Sequence, residues 1–99
     1  MRDTTNSTFK ADTSSGKVLV DCYATWCAPC TGQKMVLLDL ERSNPEVTVL
    51  MVDVEKEPDL ASSFGVRALP TILVFKEGSH VQTLVGLKDK TKLLAALGE

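Results

Sequence analysis

The fold of this chain is decided by one stretch, Val18-Leu19-Val20-Asp21-Cys22-Tyr23-Ala24-Thr25-Trp26-Cys27-Ala28-Pro29-Cys30. It begins as a continuous apolar run, which is typical of a strand covered on both faces of a sheet. It ends in two cysteines separated by two residues, where the strand gives way to a helix. Unpaired N–H groups and a partial positive charge mark the first turn of a helix. A thiolate at Cys27 is stabilised there and becomes a nucleophile. Cys30, one turn further along, can form a disulfide with it.

Length and composition indicate one soluble globular domain, residues 1–99, with a single core. The net charge of −2 gives no reason to expect nucleic acid or an anionic membrane as a partner. No apolar stretch approaches the roughly 20 residues needed to cross a bilayer, and Met1–Thr8 lacks the apolar core of a secretory signal. The three cysteines are an odd number, which does not suit a secreted multi-disulfide framework. We therefore expect a cytoplasmic protein.

The pattern along the chain predicts an α/β fold with the order βα–βα–ββα. A short helix or turn is expected at Phe9–Thr13, followed by a strand, and a helix from Cys27 that stops at Ser43-Asn44-Pro45. The later helices are expected at Pro58–Gly65 and after the N-cap Asp89. The strands are predicted at Val18–Ala24, Val47–Val54, Thr71–Lys76 and His80–Val85. This order predicts a mixed sheet with helices on both faces.

Side-chain patterning predicts which surfaces of these elements are buried. In the helix after Cys27, the apolar stripe is expected to be Met35, Val36, Leu37, Leu38 and Leu40. The solvated face of that helix is expected to be Gln33, Lys34, Asp39, Glu41 and Arg42. His80 and the acidic cluster are also expected to be solvated, the cluster comprising Asp53, Glu55, Glu57 and Asp59.

Several separate motifs occur in the order and spacing of the thioredoxin family. They are Asp21, Trp26-Cys27-Ala28-Pro29-Cys30, Leu69-Pro70-Thr71 and Gly86. From about Phe9 to Leu97, the chain resembles a small single-domain thioredoxin. The resemblance implies the thioredoxin fold, a central mixed β-sheet flanked by helices on both faces. Because Met1–Asn6 is a poor strand, we expect a short or absent N-terminal edge strand. If that strand is missing, Val47–Val52 loses its cover and exposes an apolar edge.

The resemblance also implies the roles of individual residues. Cys27 is the exposed nucleophile that attacks a substrate disulfide, and Cys30 is the resolving thiol that forms the redox disulfide Cys27–Cys30. Asp21 is the buried carboxylate that helps to move the proton of Cys30. Pro70 is expected in the cis form, and the half-exposed indole of Trp26 is expected to cover the nucleophile. The substrate groove is implied to comprise Trp26, Ala28, Pro29, Val66, Arg67, Ala68, Leu69, Pro70 and Gly86.

The key residues also allow other interpretations. A zinc site would need two more ligands, and only Cys22 and His80 remain, at no metal-like spacing, so no metal is expected. Cys22 points to the face of the strand opposite Asp21 and is best interpreted as a small core residue. An ionised Asp21 inside an apolar run would cost several kcal/mol, which favours a functional carboxylate.

The sequence departs from the family at three positions near the cysteines. Ala28 stands where glycine is usual, and Thr31 stands where most members have lysine. Met51 occupies the position of a family lysine that lies near the buried carboxylate. Without that cation, we expect the pKa of Asp21 to lie well above its ordinary value.

Together these features predict a thiol–disulfide oxidoreductase that reduces protein disulfides without a bound cofactor. The resemblance implies electrons from NADPH through thioredoxin reductase, oxidised proteins as substrates, and a mostly monomeric state with weak self-association. Two alternatives use the same fold. One is a specialised redox exchanger for a single partner, and the other is a redox-sensing module that binds a partner.

Overall fold

The computed structural model describes all 99 residues, arranged as five strands and four helices around one sheet. The strands are β1 (Arg2–Asp3), β2 (Lys17–Tyr23), β3 (Val47–Asp53), β4 (Thr71–Lys76) and β5 (Ser79–Val85). The helices are α1 (Phe9–Asp12), α2 (Ala28–Ser43), α3 (Pro58–Ser63) and α4 (Lys90–Ala96). The spatial order of the strands is β1-β3-β2-β4-β5. Strands β1, β3 and β2 are parallel, and β4 is antiparallel to both of its neighbours, β2 and β5. The predicted mixed sheet is confirmed.

The central strand β2 is buried because both faces of the sheet are covered. Val18, Val20 and Cys22 point into one apolar cluster, and Leu19 points into the other. The first cluster packs under α1 and α3 through Phe9 and Leu60. It contains Phe9, Val18, Val20, Cys22, Leu50, Val52, Leu60, Leu73 and Phe75. The second cluster packs under α2 and α4 and contains Leu19, Leu37, Leu40, Val47, Val49, Ile72, Val74, Leu93 and Leu97.

The N-terminal edge strand is present, but it has only two residues. Arg2 and Asp3 pair with Leu50 and Met51 of β3, and the N–H of Thr4 donates to the carbonyl of Met51 at 2.9 Å. The apolar edge expected in the absence of this strand is not exposed, because the strand is present and the apolar side chains along β3 are all buried. Part of the cover comes from Met1, whose side chain packs against the second cluster.

Helix α2 buries only part of the face predicted: Leu37 and Leu40 are buried as expected, but Met35 is not. Its buried residues are Cys30, Gln33, Leu37 and Leu40, which recur every three or four positions. Met35 was predicted to be apolar core, but it is 63% exposed. Gln33 was predicted to be solvated, but none of its surface is exposed. At about 100° per residue, Met35 lies well outside the face that Gln33 shares with Leu37.

The acidic cluster is only partly a solvated face. Asp53 is buried at the end of β3, where its carboxylate accepts N–H groups of Glu55 and Lys56 at 2.9 and 3.3 Å. Glu57 is half-buried, and its carboxylate accepts the N–H of Asn6 at 2.8 Å. An aspartate that bonds the backbone two residues on is a common turn former, and here it ends the strand.

Candidate active site

The two cysteines are joined by a disulfide at the junction between β2 and α2. Cys27 is the N-cap of the helix, and Pro29 occupies its first turn, where a missing N–H costs nothing. The Cα atoms of Cys27 and Cys30 are 5.3 Å apart. Both residues are buried in this oxidised state, so Cys27 is less exposed than the resemblance implied. The N–H of Cys30 donates to the carbonyl of Cys27 at 3.2 Å, so the turn itself holds the pair. The free N–H groups of this turn can stabilise a thiolate when the disulfide is reduced.

A groove with a volume of about 460 Å³ opens beside Cys27. Besides Cys27, it is lined by Trp26, Ala28, Pro29, Val54, Val66, Arg67 and Leu69. Six of these were expected at the groove, whereas Ala68, Pro70 and Gly86 do not line it. Trp26 is 69% exposed, more than the half-exposed indole that was expected. Arg67 is the one charged residue in an otherwise apolar wall.

Val54 is a groove residue that the sequence did not suggest. It follows β3 directly, and its N–H donates to the carbonyl of Tyr23 at 2.9 Å. The carboxyl ends of neighbouring parallel strands meet at the same edge of a sheet. Because β2 and β3 are parallel neighbours, the residue after β3 lies near the cysteine turn.

The loop before β4 is tied to the segment after β5. The Leu69–Pro70 peptide bond is cis, and Pro70 is buried. Its carbonyl accepts the N–H of Gly86 at 2.9 Å, and the hydroxyl of Thr71 donates to the carbonyl of Ala68 at 2.6 Å. Pro70 and Gly86 are thus hydrogen-bonded neighbours, and Pro70 directly follows the groove residue Leu69 in the chain.

Asp21 is a buried carboxyl group without a partner. It has no exposed surface, and neither of its oxygens makes a hydrogen bond. It stands opposite Met51 of β3 and Ile72 of β4, so no cation faces it from either neighbouring strand. Burial raises its pKa from 3.8 to about 7. It shares a face of β2 with Leu19, which packs under α2, and its side chain therefore points toward the helix that carries Cys30.

Cys22 is separated from the active-site disulfide by the sheet. Its side chain is buried in the cluster under α1 and α3. Burial, together with the charge of Asp21, raises the pKa of its thiol to about 12. The free thiol is therefore protonated and inert at neutral pH.

A second cavity, of about 520 Å³, lies on the other side of the cysteine turn. Cys30, Lys34, Glu41 and Met51 are among its lining residues, together with β1. The two cysteines therefore line different cavities, Cys27 the apolar groove and Cys30 this more polar one. No group of three or more His, Cys, Asp or Glu side chains is arranged to hold a metal ion. None of the helices has the length and apolarity that spanning a bilayer requires.

Comparison with known proteins found the same family throughout. The family model described as Thioredoxin matches residues 1–99. A thioredoxin of Chlamydia muridarum is 42% identical over 91 residues, which is 92% of this chain and 89% of that protein. The oxidised mitochondrial thioredoxin 3 of Saccharomyces cerevisiae superposes with a TM-score of 0.89 at 31% identity, over 99% of this chain and 93% of the other. A mutant thioredoxin of Halobacterium salinarum gives a TM-score of 0.90 at 33% identity, over 98% and 86% of the two chains.

Proposed function

This chain belongs to the thioredoxin family and is a thiol–disulfide oxidoreductase, and from that premise we propose that it is a general reductant of protein disulfides. In this proposal Cys27 is the nucleophile and Cys30 is the resolving thiol. The observation that carries it is the placement of the disulfide at the start of α2, with Cys27 alone of the pair lining the apolar groove.

The proposed cycle begins from the reduced dithiol. The thiolate of Cys27 attacks one sulfur of a substrate disulfide, the substrate S–S bond breaks, and the departing sulfur takes a proton. The resulting mixed disulfide joins Cys27 to the substrate. Cys30 then loses its proton and attacks the sulfur of Cys27, which releases the second substrate thiol. Two electrons have passed to the substrate, and the disulfide seen in the structure has formed.

Asp21 is proposed to accept the proton of Cys30. Its side chain points toward α2, and burial raises its pKa to about 7. A carboxyl group of that pKa can take up and release a proton near neutral pH, whereas an ordinary aspartate would stay ionised.

The groove supports a broad choice of protein substrates. Apolar side chains form most of its wall, and Arg67 supplies its only charge. Such a surface favours contacts with the backbone and apolar side chains of an extended peptide. Ala68, Pro70 and Gly86 do not line the groove. They would contribute to substrate binding by holding the loop that carries Leu69 in place.

Members of the thioredoxin family carry no prosthetic cofactor, because the dithiol itself holds the electrons. We infer that this chain receives them from NADPH through a thioredoxin reductase and passes them to oxidised proteins. We also infer a single domain over residues 1–99, a mostly monomeric state, and a reducing cytoplasm as its location. The odd number of cysteines, with one inert in the core, supports that location.

The test is reduction of insulin disulfides driven by dithiothreitol. Wild type should accelerate the reaction. The catalysed rate should fall at least about a hundredfold in Cys27→Ser, because the nucleophile is gone. Cys22→Ala is the matched control: it removes the third cysteine from the opposite face of the sheet and should keep the wild-type rate.

Cys30→Ser separates the two cysteine roles. This variant should stop at the mixed disulfide and accumulate a covalent adduct with insulin chains, which mass spectrometry would detect on Cys27. An adduct on Cys30 in Cys27→Ser, with none on Cys27 in Cys30→Ser, would reverse the assignment. Absence of turnover in folded wild-type protein would contradict the proposed function itself.

A further inference from the structure

Gln33 makes a polar clamp inside the apolar face of α2. None of its surface is exposed, yet both polar atoms of its side chain are paired. Its Nε2 donates to the carbonyl of Lys88 at 3.0 Å, and its Oε1 accepts the N–H of Lys88 at 2.8 Å. A side-chain amide carries a donor and an acceptor in one plane, so it can pair with both backbone groups of one residue.

The clamp holds residues 86–88, which lie in the link between β5 and α4. The ammonium group of Lys88 also donates to the carbonyl of Val85, the last residue of β5, at 2.7 Å. Leu87 is 54% exposed, and its side chain lies about 3.9 Å from where a Cβ on Gly32 would stand. The amide of Gln33 supplies the only hydrogen bonds between this segment and α2.

The same segment is joined to the loop that precedes β4. The N–H of Gly86 donates to the carbonyl of Pro70 at 2.9 Å, and the residue before Pro70 lines the groove. Gln33 itself lies three residues after Cys30 on the same buried face of α2. A chain of contacts therefore runs from the cysteine helix through Gln33, Lys88 and Gly86 to the Pro70 loop on the other side of the groove.

We propose that Gln33 is a positioning residue for protein-disulfide reduction. By clamping Lys88, it holds residues 86–88 against α2 and thereby sets the spacing between the cysteine turn and the Pro70 loop. That spacing matters for an extended peptide that must lie along the groove with its disulfide at Cys27. The inference rests on the proposed function, and it assigns Gln33 to the binding of protein substrates rather than to sulfur chemistry.

Gln33→Met tests the proposal, because it keeps the volume of the side chain and removes both hydrogen bonds. The expected result is an approximately tenfold rise in the KM for insulin with dithiothreitol as reductant. The rate at which pre-reduced protein is oxidised by cystine should stay within twofold of wild type, since so small a disulfide does not span the groove. Gln82→Met is the matched control: that glutamine is exposed on β5, and the substitution should change neither quantity.

The possible results distinguish failure of this inference from failure of the proposed function. A KM for insulin within twofold of wild type in folded Gln33→Met overturns the inference and leaves the function standing. An equal loss of activity with insulin and with cystine also overturns the inference, since general damage to the active site is then the cause. Wild-type protein inactive with both substrates refutes the proposed function instead. If Gln33→Met does not fold, Gln33→Asn keeps the amide but shortens its reach, and it should raise the KM for insulin in the same way.

Discussion

The surroundings of Asp21 determine its pKa and, through it, how the free energy of unfolding depends on pH. Its carboxyl group is buried without a hydrogen bond, and Met51 stands where a cation could have compensated its charge. Burial raises its pKa from 3.8 to about 7. Between those values the folded state holds a proton that the unfolded chain has lost. The free energy of unfolding therefore falls as the pH rises through this range, and the loss is complete above pH 7.

Asp21→Asn should remove this pH dependence, because the amide has nearly the same shape and no charge. Three pKa units correspond to about 4 kcal/mol, so the variant should exceed the wild-type free energy of unfolding by roughly that amount at pH 8. At pH 4 the difference should nearly vanish, since the wild-type carboxyl is then protonated. Urea unfolding of the oxidised proteins at both pH values is the measurement. Asp59→Asn, on an exposed aspartate, is the control. If Asp21→Asn raised the free energy of unfolding equally at pH 4 and pH 8, burial of an ionised carboxylate would not be the cause.

At the scale of elements, α4 depends on a cap that the sequence predicts. The carboxylate of Asp89 accepts the N–H of Lys92 at 2.9 Å, which satisfies one of the free donors of the first turn. The helix is short, and Leu93 within it and Leu97 at its C-cap enter the second cluster with no exposed surface. Fraying of its first turn would therefore loosen one face of the core.

Asp89→Ala should lower the free energy of unfolding by about 1 kcal/mol, the usual effect of removing an N-cap. Chemical unfolding at neutral pH measures it. Glu55→Ala is the matched control, because that carboxylate is exposed and makes no hydrogen bond. A loss in Asp89→Ala no greater than in the control would show that the cap contributes nothing to the stability of the fold.

Secondary structure could be predicted from the sequence because local patterns determine most of it. The apolar run of β2, the stop at Pro45 and the cap at Asp89 act within a few residues, and their elements agree with the structure. The buried face of α2 could be predicted only in part, at Leu37 and Leu40. Hydrophobicity assigned Met35 to the core and Gln33 to solvent, but the carbonyl and N–H of Lys88, 55 residues away in sequence, make burial of Gln33 favourable.

The candidate site shows the same division between local and distant determinants. The cysteine turn was predicted because its residues are consecutive, and the Pro70 loop was identified through the resemblance. Val54 was missed because nothing in its own neighbourhood marks it; it reaches the groove only because β3 lies parallel to β2. Asp53 was assigned to a solvated face for its charge, but its hydrogen bonds to the following backbone allow it to be buried.

At the scale of the whole molecule, the two apolar clusters are opposite faces of one sheet. Alternate residues of β2, β3 and β4 serve one cluster or the other, so neither cluster can come apart without disturbing the same three strands. Phe9 and Leu60 belong to one face, and Leu37 and Leu93 belong to the other. We therefore expect residues 1–99 to unfold as one cooperative unit.

Cys22 provides a probe of that cooperativity. In the oxidised protein it is the only free thiol, and it is buried in the cluster under α1 and α3. Its labelling by a thiol reagent along a urea series should follow the same transition as far-ultraviolet circular dichroism, because most of the helical signal comes from α2 on the other face. Cys22→Ala controls for labelling elsewhere. If labelling of Cys22 preceded the loss of helix, the two faces would unfold separately, and the inference of a single cooperative domain would be wrong.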